Sequence, residues 1–107
     1  MAWTVTGQTL CMSEDDFGNA LPMELKGMTL GAQDCIRMDI KDHMNGSTIL
    51  TKEWSDIQQN TVSIVFTEEE SKLLPVGTYV YNLAWYQEGN FRNYIIECAT
   101  LKVGDVA

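Results

Sequence analysis

Hydrophobic and polar positions alternate with a period of two along most of this chain. In residues 20–25, Leu21, Met23 and Leu25 alternate with Pro22 and Glu24. In residues 33–41, Ile36, Met38 and Ile40 alternate with Arg37, Asp39 and Lys41. Val62, Ile64 and Phe66 share one face of the run NTVSIVF. In TYVYNLAWY, one face carries Tyr79, Tyr81, Leu83 and Trp85, and the other Val80, Asn82, Ala84 and Tyr86. Successive side chains of a strand point to opposite sides, so this alternation marks strands with one buried face. The pattern predicts strands over 3–6, 19–25, 33–41, 48–54, 61–66, 78–87 and 91–103. Tyr79, Tyr81 and Trp85 fall on the core side, and Met38 is a packing residue.

Turn signals separate the runs. Asn45-Gly46 and Glu88-Gly89-Asn90 offer the positive φ values that tight hairpin turns need, and Lys26-Gly27 closes the 19–25 strand. Residues 67–74 break the alternation. Thr67 followed by Glu70 is a capping-box spacing, and Glu68 to Glu70 suit the positive end of a helix dipole. Pro75 prevents the helix from continuing, so 67–74 is one short helical turn. Leu74-Pro75-Val76-Gly77-Thr78-Tyr79 reads as a tyrosine corner, with Gly77 and Tyr79 as its structural residues. The expectation is an all-β fold: an immunoglobulin-like antiparallel β-sandwich of about seven strands, with 1–107 forming a single domain.

Charge narrows the partners. Fifteen acidic against seven basic residues give a net charge of −8. No Lys/Arg cluster is present to release counterions, so nucleic acid and anionic membranes are poor partners. No basic segment followed by an apolar run opens the chain, and no apolar run is long enough for a membrane helix. Cys11, Cys35 and Cys98 lack metal-site spacing and read as reduced thiols, with a Cys35–Cys98 bridge across the sandwich as the open alternative.

Candidate chemistry is sparse. His43 is the one histidine, beside Asp42 in KDHMNGS, and reads as solvated. Glu14-Asp15-Asp16 reads as a solvated acidic loop. Met12, Met28 and Met44 read as gap fillers or part of an adaptable contact surface. With no nucleophile–base pair, phosphate loop or metal motif, the expectation is no enzyme, no catalytic residue, no cofactor and no metal. The candidate contact surface is Trp54, Tyr86, Phe91 and Tyr94, with Asn82, Gln87 and Asn90 as the nearby polar groups.

The order SEDDFGNALPMEL, IRMDIKD, a hairpin, NTVSIVFTEEESKLLPVGTYVYNLAWYQEGNF and a last strand ending LKV resembles a known family. It is similar to the small immunoglobulin-like sandwich domains of tail and baseplate proteins in phages of Gram-positive bacteria. The nearest likeness is the N-terminal domain of baseplate upper proteins. The matching residues are Thr67, Glu70, Ser71, Leu74, Gly77, Tyr79, Tyr81 and Leu83, within a likeness covering roughly residues 14–105. The resemblance implies a non-catalytic tail or baseplate assembly module, prophage-encoded or from a phage. Such a module is made in the host cytoplasm and carried in the virion. Its expected partners are other phage structural proteins, or further copies in a homo-oligomer. Baseplate proteins carry this domain ahead of host-binding parts; here the chain ends near Val103, so assembly or an accessory role is expected rather than host recognition. The alternative is a carbohydrate-binding module using exposed rings on a cell-surface or cell-wall glycan.

Overall fold

The computed structural model describes residues 4–13, 18, 20–25, 30–43, 46–57 and 60–104. They form eight strands and one short helix: β1 Thr4–Thr6, β2 Thr9–Ser13, β3 Leu21–Glu24, β4 Asp34–Lys41, β5 Thr48–Ser55, β6 Thr61–Ile64, α1 Glu68–Ser71, β7 Gly77–Gln87 and β8 Asn90–Gly104. One sheet has the order β1-β2-β8-β7-β4-β5, and the second is the pair β3-β6. The chain crosses between sheets before β3, β4, β6 and β7, as immunoglobulin-like sandwiches do. The fold is thus the expected all-β sandwich.

Two features depart from expectation. Strand β2 is the eighth strand, and it pairs with β8 in parallel, Leu10 opposite Leu101 and Met12 opposite Val103. The other described ladders are antiparallel. Leu10 and Met12 are buried at 1% and 2% exposure, so the strand carries the same period-two signal as its neighbours in a shorter run.

One core joins the two sheets. It takes Leu10 and Met12 from β2, Ile36, Met38 and Ile40 from β4, Val62 and Ile64 from β6, Tyr79, Tyr81 and Leu83 from β7, and Leu101 and Val103 from β8. Tyr81 is fully buried, and its hydroxyl donates to the Gln8 carbonyl in the β1–β2 turn. Burial pushes its phenol up to about 12, so it keeps the proton it donates. Trp85 is only partly buried; its indole N–H donates to the Asp34 carboxylate at 2.9 Å.

The ladder between β7 and β8 is uneven. From the Gln87–Asn90 pair to the Gly77–Val103 pair, β8 uses three more residues than β7. The extra residues lie at Arg92, at Ile95, and at Glu97-Cys98 opposite Asn82. Each is a bulge, which shifts the side-chain phase of the next stretch of strand by one position. At the third bulge Cys98 takes φ 55, and its N–H donates 2.7 Å to Oδ1 of the buried Asn82.

The β7–β8 hairpin turns through Glu88 at φ 51 and Gly89 at φ 82, a two-residue loop with both residues left-handed. The Glu88 N–H also donates to the Gln33 carbonyl at 3.0 Å. Glutamate suits a left-handed position poorly and glycine suits it well. Glu88→Asn is expected to stabilise the protein by up to about 1 kcal/mol, and Gly89→Ala to destabilise it by about 1–2 kcal/mol. Urea unfolding of the two variants reads both signs. At the other expected hairpin, Asn45 lies outside the described residues. Gly46 does not take a left-handed φ; its N–H donates to the His43 carbonyl at 2.9 Å. A Cβ there would meet only the ends of the exposed Asp42 and His43 side chains, which can move aside. The Lys26-Gly27 turn also lies outside the described residues.

At the β6–β7 corner the capping box is complete: Thr67 Oγ1 accepts from the Glu70 N–H, and Glu70 Oε1 accepts from the Thr67 N–H. The Tyr79 hydroxyl reaches back to the Pro75 carbonyl, closing the tyrosine corner. Glu70 has a second task. Lys52 lies opposite Met38 on the inner side of edge strand β5, and its Nζ meets Glu70 Oε1 at 2.7 Å and sits 5.9 Å over the Phe66 ring. An inward charge on an edge strand blocks further strand pairing, and here the corner neutralises it.

That pair makes stability depend on pH. Burial raises the Glu70 carboxyl, but the Lys52 hydrogen bond and the Thr67 N–H lower it by more, so it ends below its ordinary 4.5. Asp34 lies below 3.8 because the Gly31 N–H and the Trp85 indole donate to it. A depressed folded-state pKa gives stability that is present above the unfolded value and lost as pH falls through the folded one. The melting temperature is expected to hold above pH 4.5 and to fall below it. Glu70→Gln keeps the cap geometry and is expected to flatten the upper part of that fall.

Candidate functional site

The outward face of the large sheet gathers three aromatic side chains. Tyr86 at the end of β7 faces Phe91 on β8, and Ala84 faces Tyr94. Tyr86 and Phe91 meet edge to face, with centroids 5.7 Å apart and planes at 76°. Phe91 and Tyr94 meet at 5.0 Å and 62°. Phe91 is 49% exposed and Tyr94 44%.

Bulging explains why residues 91 and 94 can touch. In a regular strand, residues three apart lie on opposite faces. The extra residue at Arg92 restores the phase, so both rings stand on the face that already holds Tyr86 and Ala84. Ala84 is buried at 2% exposure because the register sets it between Arg37 and Tyr94, both far larger. It forms the floor of the patch.

Beyond Ala84 lies Arg37, and beyond Arg37 lies Glu53 on β5. Arg37 donates from Nε to Asp39 Oδ1 at 3.1 Å, and its guanidinium carbon sits 6.0 Å from the Tyr86 ring centre. Asp39 also accepts from Thr51 Oγ1 at 2.8 Å. Both signs are present, so this face does not concentrate the negative charge of the chain. A small hollow of about 200 Å³ opens beside it, lined by Cys35, Arg37, Glu53, Tyr86 and Gly89. Burial, with Glu53 adding to it, pushes the Cys35 thiol up and keeps it protonated.

Of the four expected contact residues, the structure brings together Tyr86, Phe91 and Tyr94. Trp54 stands apart: it pairs with the buried Ile36, packs against the core, and donates from its indole N–H to the Ser63 carbonyl at 3.0 Å. It ties β5 to β6 rather than joining the outer face. Asn82, expected near the surface, is buried and committed to the Cys98 N–H. Gln87 and Asn90 flank the hairpin turn. Cys11, Cys35 and Cys98 are all free thiols, so the Cys35–Cys98 bridge is not formed.

Elsewhere the chemistry is thin. His43 Nδ1 lies 2.7 Å from Asp42 Oδ1, with both side chains largely in solvent. Among the described residues no three His, Cys, Asp or Glu side chains converge to hold a metal, and no helix is long and apolar enough to cross a membrane. Glu14-Asp15-Asp16, Met28 and Met44 lie outside the described residues; Met12 is in the core.

Compared with known protein families, with curated proteins and with solved structures, the chain matches none.

Proposed function

We propose that this chain is a non-catalytic docking module of the phage tail or baseplate kind, acting through protein–protein contacts in a virion assembled in the host cytoplasm. The observation that carries the docking role is the Tyr86–Phe91–Tyr94 cluster. Three rings pack on one another on an outward sheet face, with two of them close to half exposed. Aromatic rings beside an arginine are the side chains that most often dominate protein interfaces. The phage part of the reading is supported by the likeness around Thr67, Glu70, Gly77 and Tyr79, where the Thr67 and Glu70 side chains build the capped corner and the Tyr79 hydroxyl closes the tyrosine corner.

The glycan alternative needs a coplanar row of rings. The rings here meet at 76° and 62°, so they offer edges as much as faces. Trp54 faces inward, and Asn82 is occupied by the backbone. Nothing in this geometry favours sugar stacking over protein contact.

The docking role is tested by light scattering on a size-exclusion column across a concentration series. The wild-type protein is expected to reach a defined oligomer, since assembly subunits close by symmetry. Phe91→Ala with Tyr94→Ala is expected to return it to monomer while lowering its unfolding free energy by only about 1–2 kcal/mol, the worth of the lost ring contacts. A wild type that stays monomeric throughout, or an oligomer indifferent to both substitutions, contradicts the proposal.

A further inference from the structure

The outward face of the large sheet is divided into a hollow half and a ringed half. Directly opposite residues share a face, so the register sets two adjoining rows across β5, β4, β7 and β8. One row is Ser55-Cys35-Tyr86-Phe91 and the next is Glu53-Arg37-Ala84-Tyr94. In the first row the small side chains stand on β5 and β4, and the rings on β7 and β8. The hollow of about 200 Å³ opens over the small half, bounded by Tyr86 and Gly89, with room for one aromatic ring. Reversed end for end, this row sets Phe91 on Ser55 and Tyr86 on Cys35, large on small. The second row reversed sets Arg37 on the small, sunken Ala84 and Tyr94 on Glu53.

Charge fits the same reversal. Arg37 and Glu53 stand directly opposite, yet no salt bridge joins them, because Arg37 turns its Nε to Asp39. Glu53 is exposed and has no hydrogen bond or ion pair among the described residues. The Tyr94 hydroxyl has no hydrogen-bond partner there either. An unpartnered acceptor and an unpartnered donor thus stand at the two ends of one row. On this face β4 and β5 carry Arg37, Lys41, Asp39 and Glu53, two charges of each sign, and β7 carries none. A chain of net charge −8 therefore has a balanced patch here, where two copies can meet without net repulsion.

We infer that this face docks a second copy of this chain across a two-fold axis lying along the strands, between β4 and β7. The two sheets pack face to face with their strands aligned, as the sheets of a sandwich do. The second copy's Tyr86 and Phe91 close the hollow, and its Tyr94 hydroxyl donates to the Glu53 carboxylate. Asp39 falls against Asn82 and Lys41 against Val80, so no like charges meet. Each contact occurs twice, as a two-fold interface requires. The occupant follows from the fit of the face to its own reversal, which only a second copy can use. The inference rests on the docking role proposed above and adds to it the occupant, the axis and the reciprocal contacts.

The test uses the whole protein, with light scattering for mass and native mass spectrometry for composition. The wild type is expected to form a dimer. Ser55→Trp puts a ring where the second copy's Phe91 must sit, and Phe91→Ala removes that ring. Each variant alone is expected to dimerise at least about tenfold more weakly than wild type. Mixed one to one, they are expected to form a heterodimer about as tight as the wild-type dimer. One junction then sets the new tryptophan against the new alanine, and the other keeps the native Phe91–Ser55 contact. A second measurement does not rely on either variant folding. Tyr94→Phe keeps the ring and removes the hydroxyl. It is expected to weaken the dimer at least about tenfold in the wild type and to add nothing where Glu53→Ala is already present. Variants that do not recover on mixing, additive effects of Tyr94→Phe and Glu53→Ala, or an assembly of three or more subunits overturn the inference. The docking role survives any of these if Phe91→Ala with Tyr94→Ala still abolishes the wild-type assembly. A wild type that is monomeric at every concentration overturns both.

Discussion

Leu83→Ala is expected to cost about 2–5 kcal/mol, the largest loss of any single substitution considered for this protein. Leu83 is fully buried at the centre of β7, between Met38 on β4 and Ile96 on β8. Truncation removes its transfer energy and leaves a cavity that two sheets cannot collapse around, since β7 is hydrogen-bonded on both sides. Urea unfolding reads the effect as a lowered midpoint with an unchanged slope. A loss well below about 2 kcal/mol would mean that the core is looser than its burial implies. The contrast with Phe91→Ala is the informative part, because Leu83 is expected to govern folding and Phe91 association.

Asn82→Ala is expected to cost about 1–3 kcal/mol, for a different reason. Asn82 contributes little apolar area. Its Oδ1 accepts the Cys98 N–H at the bulge where φ turns positive, and it is itself nearly buried. Alanine leaves that N–H without its partner and costs the desolvation of a buried donor. The remedy should act at the other end of the same bond. Cys98→Gly relieves the left-handed strain and is expected to stabilise the protein by up to about 1 kcal/mol. Because the two sites share one bulge, a double variant is expected to depart from additivity. Strict additivity, or a neutral Asn82→Ala, would show that the bulge does not depend on this side chain.

The same bulges explain what could be read from the sequence and what could not. Period-two runs placed β3 to β8 because their alternation is local: Ile36, Met38 and Ile40 point inward for the same reason that Arg37 and Asp39 point outward. The capped corner was legible too, since Thr67 and Glu70 satisfy each other within one turn. Strand β2 was missed because its alternation rests on Leu10 and Met12 alone, and its parallel pairing with β8 joins residues some ninety positions apart. Phase was the other obstacle. Nothing in NFRNYIIECA says where β8 inserts its extra residues, so Phe91 and Tyr94 could not be placed on one face. Trp54 failed by the same route: an aromatic in an alternating run has two faces open to it, and only its pairing with Ile36 selects the inner one.

The central claim is that the bulged β8 strand builds a protein-binding face from Tyr86, Phe91 and Tyr94. The most direct test follows the backbone and aromatic NMR signals of the wild-type protein as its concentration rises. The account predicts progressive shifts centred on Ala84, Tyr86, Phe91, Tyr94 and Arg37, together with slowed tumbling. Shifts centred instead on the exposed Leu73 and Val76 at the opposite corner, or spectra that do not change with concentration, would contradict it.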